Sequence, residues 1–269
     1  MTWRGAPPVT RAYLALAASI CAVRILLVRQ YGLIIAVAAA VPLRDHFFPS
    51  LLRQPALLAA AFLAPLATEI PVLLRPTAGR MKRHAAGVTL SAAVLLVHQA
   101  SYFFATWIVV FWAGLFLAWL AWSGVPDPES ARRKGPFLAQ LLVAFWFLGG
   151  AAGKWTAGYW AGEPFHDLFF AHHPYAVYAV LRAHLDADTL RLVATWFSRA
   201  VVVVETAMAA VFLLPARLAS SLGVAVGLGM WLAMGNLYDV AWPVIGTALA
   251  GRILAGAERL ALSATRERG

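Results

Sequence analysis

Charge is what this sequence has least of. Asp, Glu, Lys and Arg make up 13% of its 269 residues, against about 25% in an ordinary soluble domain. Hydrophobic residues make up 62% and the mean hydropathy is +0.73, so too few charges remain to clothe a water-facing core of this size. Cysteine is nearly absent: Cys21, inside an apolar run, stands alone, which excludes a disulfide framework and any CxxC redox or metal motif. No repeat period and no low-complexity tract stands out. Acidic residues are so outnumbered that the formal net charge is +10, yet no basic stripe lies on a soluble face, and nucleic acid is not expected as a partner. Lys and Arg cluster instead between apolar runs, the pattern of a chain whose partner is a lipid bilayer.

What is present is a series of apolar runs. Crossing the hydrocarbon core takes about 20 apolar residues, and runs of that order lie at 12–43 (interrupted by Arg24 and Arg29), 55–74, 85–122, 137–153, 192–215, 218–234 and 240–255. Arginines before the first run and small residues at 38–40 resemble a signal peptide, but the run is too long for one and is expected to span. Residues 85–122 carry no Asp, Glu, Lys or Arg. A straight helix over that length would measure roughly 57 Å, about twice the hydrocarbon thickness. Both its flanks are basic: Arg80, Lys82 and Arg83 before it, Arg132, Arg133 and Lys134 after it. A hairpin turning near residues 98–101 puts both clusters on the cytoplasmic side, as the positive-inside rule requires. The fold class expected is therefore all-α: one transmembrane domain over residues 1–269, a polytopic helix bundle of about eight spans, with both termini cytoplasmic, in the cell membrane. The tail with Arg259, Arg266 and Arg268 then falls inside, and the segments 44–53 and 154–191 fall outside. Aromatic side chains are plentiful (11 Trp, 7 Tyr, 15 Phe), as suits helix ends at the headgroup level.

Ionisable residues at membrane depth mark sites or internal pairs. Arg24, Arg29 and Arg199 read most simply as paired or snorkelling cations. Glu69, between Pro65 and Pro71, lies where a regular helix is interrupted, and is either a partner at that kink or a site residue. Glu205, deep in an apolar run, is too far from either end to snorkel and needs a partner. The outer segment 154–191 holds His166, Asp167, His172, His173 and His184, but no spacing among them matches a zinc motif such as HExxH, and no metal is expected. Lys154 follows Gly149, Gly150, Ala151, Ala152 and Gly153, small residues that let helices approach closely. A lysine emerging at such a place is either an anchor at the interface or, in a low-dielectric pocket, a base.

Phe145-Trp146-Phe147-Leu148-Gly149-Gly150-Ala151-Ala152-Gly153-Lys154, followed by Trp160-Ala161-Gly162, resembles the "aGlxK…W..G" signature of the HTTM (horizontally transferred transmembrane) domain family. This is the membrane part of vitamin K-dependent γ-glutamyl carboxylase and its bacterial relatives. Three further stretches follow in the family's order. Val97-His98-Gln99-Ala100-Ser101-Tyr102-Phe103 falls where the family has its "NNHSY" turn, Val203-Val204-Glu205 resembles the span with a lone acidic residue, and Asn236-Leu237-Tyr238-Asp239 resembles the polar break before the last span. The resemblance covers about residues 85–255. It departs from the pattern too. The carboxylases have two adjacent lysines, the second catalytic, where this chain has Lys154-Trp155. The turn histidine falls on Ala100, a later family histidine falls on Trp231, and the family's large lumenal domain has no counterpart in this sequence.

The resemblance implies an enzyme with an outward-facing pocket that uses a reduced quinone as cofactor. Lys154 would act as its catalytic base, His98 and Glu205 would bind quinone or substrate, and Trp155, Tyr159 and Trp160 would form walls. The alternative is a non-catalytic membrane subunit or assembly factor, whose polar residues join helices and whose outer segment docks a membrane or extracytoplasmic protein partner. A transporter is disfavoured, since the two halves show no repeated pair of broken helices.

Overall fold

A computed structural model describes residues 5–44, 47, 49–234 and 238–266, with backbone alone at 234, 238 and 258–266. Every regular element among them is helical. The long helices are α1 (Pro8–Ala40), the two-part α2 (Pro55–Leu63) and α3 (Leu66–Leu74), α4 (Ala78–Val97), α5 (Phe104–Trp119), α6 (Pro128–Ala152), α10 (Ala187–Ala209), α11 (Ala216–Met234) and α12 (Tyr238–Arg266). Between α6 and α10 lie the short α7 (Ala157–Ala161), α8 (Glu163–Phe165) and α9 (Ala176–His184). Among the described residues, seven helices, counting α2 and α3 as one, are long and apolar enough to cross a membrane. The protein is a multi-pass membrane helix bundle. Helix α4 has 20 residues as well, but Arg80, Lys82 and Arg83 sit in its first turns.

The apolar run 85–122 is broken where a hairpin was expected. Helix α4 stops at Val97, residues 98–103 are non-helical, and α5 begins at Phe104 and packs back along α4. Phe103 takes the left-handed conformation, φ 63°. His98 shapes this turn. Its Nδ1 accepts from the Ala100 N–H at 3.2 Å, and the Nε2 opposite it then donates to the Gln54 carbonyl at 3.0 Å.

Helix α1 is the central post. Ala12, Leu16, Ile20, Val23, Leu27 and Tyr31 are fully buried, at the three- and four-residue spacing that lines up one helix face. That face meets α2–α5, and another packs on α12, so closely that a Cβ on Gly246 would collide with Ser19. Helices in lipid gain little from the hydrophobic effect, and such small-residue contacts supply the van der Waals packing instead.

A polar knot sits inside this apolar half. Pro65 has no N–H to reach back to the Ala61 carbonyl, and the helix breaks there into α2 and α3. Ser91 of α4 donates to the Ala61 carbonyl, and Arg24 of α1 donates to the next one, Phe62, at 2.9 Å. Arg24 also pairs with Glu69 at 3.0 Å, donates to Ser91 at 2.9 Å and lies 5.4 Å from the centroid of the Trp107 ring. Arg24 and Glu69 are both fully buried. Glu69 is thus a partner at the kink, and Arg24 a paired cation rather than a snorkelling one. Next to them Tyr13 hydrogen-bonds His84 Nδ1 at 2.7 Å.

Residues 154–191 fold into a small cap. Phe165, Phe170 and Tyr178 pack with Leu190 and Ala194 of α10, and Asp186 caps α10 by accepting from the Thr189 N–H at 2.8 Å. That hydrogen bond holds the exposed Asp186 carboxyl below the usual carboxylate range. The basic tail (Arg259, Arg266, Arg268), Asn236 and Leu237 lie outside the described side chains, as do parts of the loop 44–53.

Two crossings over residues 85–122, as the basic flanks lead one to expect, would put Arg83 and Glu129 on one side of the bilayer and Tyr102 on the other. In a chain with Cys21 replaced by Ala, Arg83→Cys and Glu129→Cys should react with a membrane-impermeant maleimide from the same face of sealed vesicles, and Tyr102→Cys from the opposite face. Labelling of positions 83 and 129 from opposite faces would mean a single crossing over residues 85–122.

Candidate functional site

Lys154 and Glu205 meet. Helix α6 ends at Ala152, and Lys154 just beyond it reaches across to Glu205 in α10, Nζ lying 2.5 and 2.6 Å from the two carboxylate oxygens. Helix α10 can come this close because Gly150 faces it: a Cβ there would stand 3.1 Å from Glu205 Oε2. The lysine side chain is 22% exposed and the glutamate 12%. In hydrocarbon each charge alone would be costly, and pairing is how both are tolerated.

The pair stands at the end of an apolar groove. One cavity of about 610 Å³ is lined by Lys154 and Glu205 together with Phe145, Trp146, Leu148, Ile108 and Met230. A second, of about 310 Å³, shares Phe147, Glu205 and Met230 with it, so Glu205 stands on the wall between them. A third, of about 540 Å³, shares Phe145 and Leu148 with the first and extends along Trp112, Phe116, Trp119 and Leu138. The groove therefore follows α5 and α6 along the bundle, with one ion pair at one end. Phe145, Leu148 and Ile108 are 52%, 54% and 44% exposed on the outside of the bundle, so the groove opens sideways, towards lipid.

Two more polar groups flank it. Trp146 lines the cavity, and its buried indole N–H has no acceptor among the described residues. At the rim, Thr106 of α5 donates to Asp239 Oδ2 of α12. Both are buried, and their neighbours Ala105 and Val240 line the cavity. The other oxygen of Asp239 has no partner among the described residues. Asp239 was visible in sequence only as part of a polar break; an acid at the very edge of an apolar run was the available signal.

The remaining candidates fall elsewhere. His98 lies in the α4–α5 turn with both ring nitrogens engaged by backbone groups, and does not line any of the three cavities. Trp155 and Trp160 stack on each other, centroids 5.5 Å apart, and are exposed. Trp155 donates at 3.0 Å to Oγ1 of Thr206, the neighbour of Glu205 on α10. Arg199 donates to the Trp160 carbonyl and lies over the rings of both Trp160 and Trp196, so its partners are indole faces and a backbone carbonyl, with no described carboxylate in ion-pair distance. Tyr159 packs edge-on against Phe165 in the cap. These aromatics form a ledge next to the site, while the walls of the cavity come from Phe145, Trp146 and Met230. His166 bonds Asp167 at 2.8 Å, and among the described residues no group of three or more His, Cys, Asp or Glu side chains converges as a metal site.

The fold and this groove define an all-α, multi-pass membrane protein with a lipid-accessible polar pair. No family model, no curated protein and no solved structure matches the chain.

Removing one member of a buried pair leaves the other charge unmatched, whereas removing both does not. Lys154→Met alone is expected to cost about 2–3 kcal/mol of stability. Lys154→Met with Glu205→Leu should cost clearly less. Denaturation of the purified protein in detergent checks this, and additive losses would show that the two residues do not act as a pair.

Proposed function

We propose that this chain is a quinol-using membrane enzyme of the HTTM type, with eight spans, both termini cytoplasmic, and the Lys154–Glu205 pair near the outer face. The observation that carries the proposal is the groove with this pair at its end. A molecule suited to it has a long apolar tail and a compact head that accepts hydrogen bonds. An isoprenoid quinone has that shape. The residues fit it: aromatic walls flank a ring, the apolar extension along Trp112 and Trp119 takes a tail, and Lys154 and the unpartnered Trp146 N–H are donors for ring oxygens.

When bound, a quinol supplies electrons and protons for reaction with oxygen. The chain's own residues would orient the ring and handle protons. Glu205 fixes Lys154 Nζ at the end of the groove, and the pair holds a proton that can pass between Nζ and Oε1 over 2.5 Å, the hydrogen-bond reach that general acid–base transfer needs. Water is restricted by Phe147 and Met230, which line the hollows on both sides of Glu205. Lys154 would then serve as base through its partner, not as an isolated amine. Carboxylation itself rests on the resemblance alone.

A second reading has its own observation. The ledge of Trp155, Trp160 and Trp196 is exposed and gathered around Arg199, and on this reading it docks a membrane or extracytoplasmic protein, with the ion pair serving to join α6 to α10.

Oxygen uptake by the purified protein given a reduced naphthoquinol separates the two. Uptake should appear and should fall about a hundredfold or more in Lys154→Ala and Glu205→Gln, each checked for retained helicity. Uptake no greater than that of empty micelles would sink the quinol reading and leave the docking subunit standing.

A further inference from the structure

The opposite end of the bundle holds a second site of different chemistry. Arg11, Arg132, Arg217 and Arg252 line one cleft of about 800 Å³, with Leu249 and Ile253 as its apolar wall. The arginines come from four helices: Arg11 from the first turn of α1, Arg132 from the start of α6, Arg217 from the start of α11 and Arg252 from α12. No described carboxylate lies within ion-pair distance of any of them. Arg252 is held by Ser221, and the Nε of Arg11 is buried without a hydrogen-bond partner.

This arrangement is unfavourable as it stands. Four like charges face one cavity, and three of them sit near helix N-termini, where the macrodipole already carries partial positive charge. An anion entering the cleft would relieve both terms, meeting guanidinium forks and the N-terminal ends of α1, α6 and α11 together. Arginines placed only to set topology need no such convergence. Arg83, on the same side in the derived topology, is exposed and outside the cleft.

Depth identifies the kind of anion. Arg132 and Lys154 are 154 − 132 = 22 residues apart along α6 and its end, about 33 Å at the helical rise. That is close to the hydrocarbon thickness, so the cleft lies at the bilayer surface opposite the Lys154 end. An apolar wall beside a cationic cleft at that level matches an amphiphile with an anionic head.

We infer that the cleft formed by Arg11, Arg132, Arg217 and Arg252 binds the phosphate of an anionic phospholipid, with Leu249 and Ile253 against the start of its acyl chains. It is a lipid site distinct from the groove at Lys154, and it joins the N-terminal ends of α1, α6 and α11 to the middle of α12.

The test uses the purified full-length protein in maltoside micelles, followed by the thermal shift of its tryptophan emission. Phosphatidylglycerol, phosphatidylcholine of the same chains, and inorganic phosphate are titrated separately. Phosphatidylglycerol should raise the unfolding temperature and phosphatidylcholine should not. Each of Arg217→Gln and Arg252→Gln, both exposed, should weaken the phosphatidylglycerol midpoint about fivefold, while Arg83→Gln should leave it unchanged. Equal shifts with both lipids, or unchanged midpoints in both cleft variants, would overturn the site. A full shift with inorganic phosphate at matched concentration would overturn the lipid as occupant in favour of a soluble phosphate.

Discussion

A polar group inside a bilayer has to find its partner within the protein, because lipid supplies none. In this chain that requirement decides where helices sit. The break at Pro65 frees two carbonyls, and the side chains that satisfy them, Ser91 and Arg24, come from α4 and α1. Arg24 in turn needs Glu69, which the same break sets in place. Four helices and a kink are tied by one set of hydrogen bonds, and the apolar packing of α1 is arranged around it. The second half repeats the principle more sparingly. Lys154 and Glu205 tie the end of α6 to the last turns of α10, while Thr106 and Asp239 tie α5 to α12.

The two pairs differ in what surrounds them. Arg24 and Glu69 are fully buried behind Phe62, Ser91 and Trp107; a hollow of about 370 Å³ reaches Ser91 and Ala61, but neither member of the pair lines it. Lys154 and Glu205 keep some exposure and face the groove. Chemistry needs access as well as charge, so of two ion pairs at membrane depth only the second has the surroundings of a site. The two ends of α6 then carry different tasks: a cationic cleft for a charged head at one, a paired cation at the end of an apolar groove at the other.

Much of this was legible in sequence because it follows from lengths and single residues. The hairpin followed from an uncharged run too long for one crossing, and the kink from two prolines around Glu69. That Glu205 needed a partner was equally plain. The identity of the partner was not, since Lys154 lies 51 residues away and pairing at that distance depends on how α6 and α10 pack. Trp155 and Trp160 follow Lys154 in the chain, which makes them natural walls on sequence grounds, but the helix ends at Ala152 and the two rings stack on each other, exposed and outside the cavity lining. The residues behind Lys154, Phe145 and Trp146, line it because they lie on the helix. His98 showed the same limit. Its place next to the turn was correct, but its nitrogens serve the backbone of the turn itself, which residue type alone does not reveal.

The central claim is that the Lys154–Glu205 pair closes a groove that admits a lipid-soluble, hydrogen-bonding ring from the bilayer. Photolabelling with a diazirine-bearing isoprenoid quinone, followed by mass spectrometry of the peptides, tests it most directly. The label should fall on the lining of α6 and α11, around Trp146 and Met230, and should be displaced by unlabelled quinone and lost in Lys154→Ala. Label spread evenly over lipid-facing residues, or undiminished by competitor, would contradict the account.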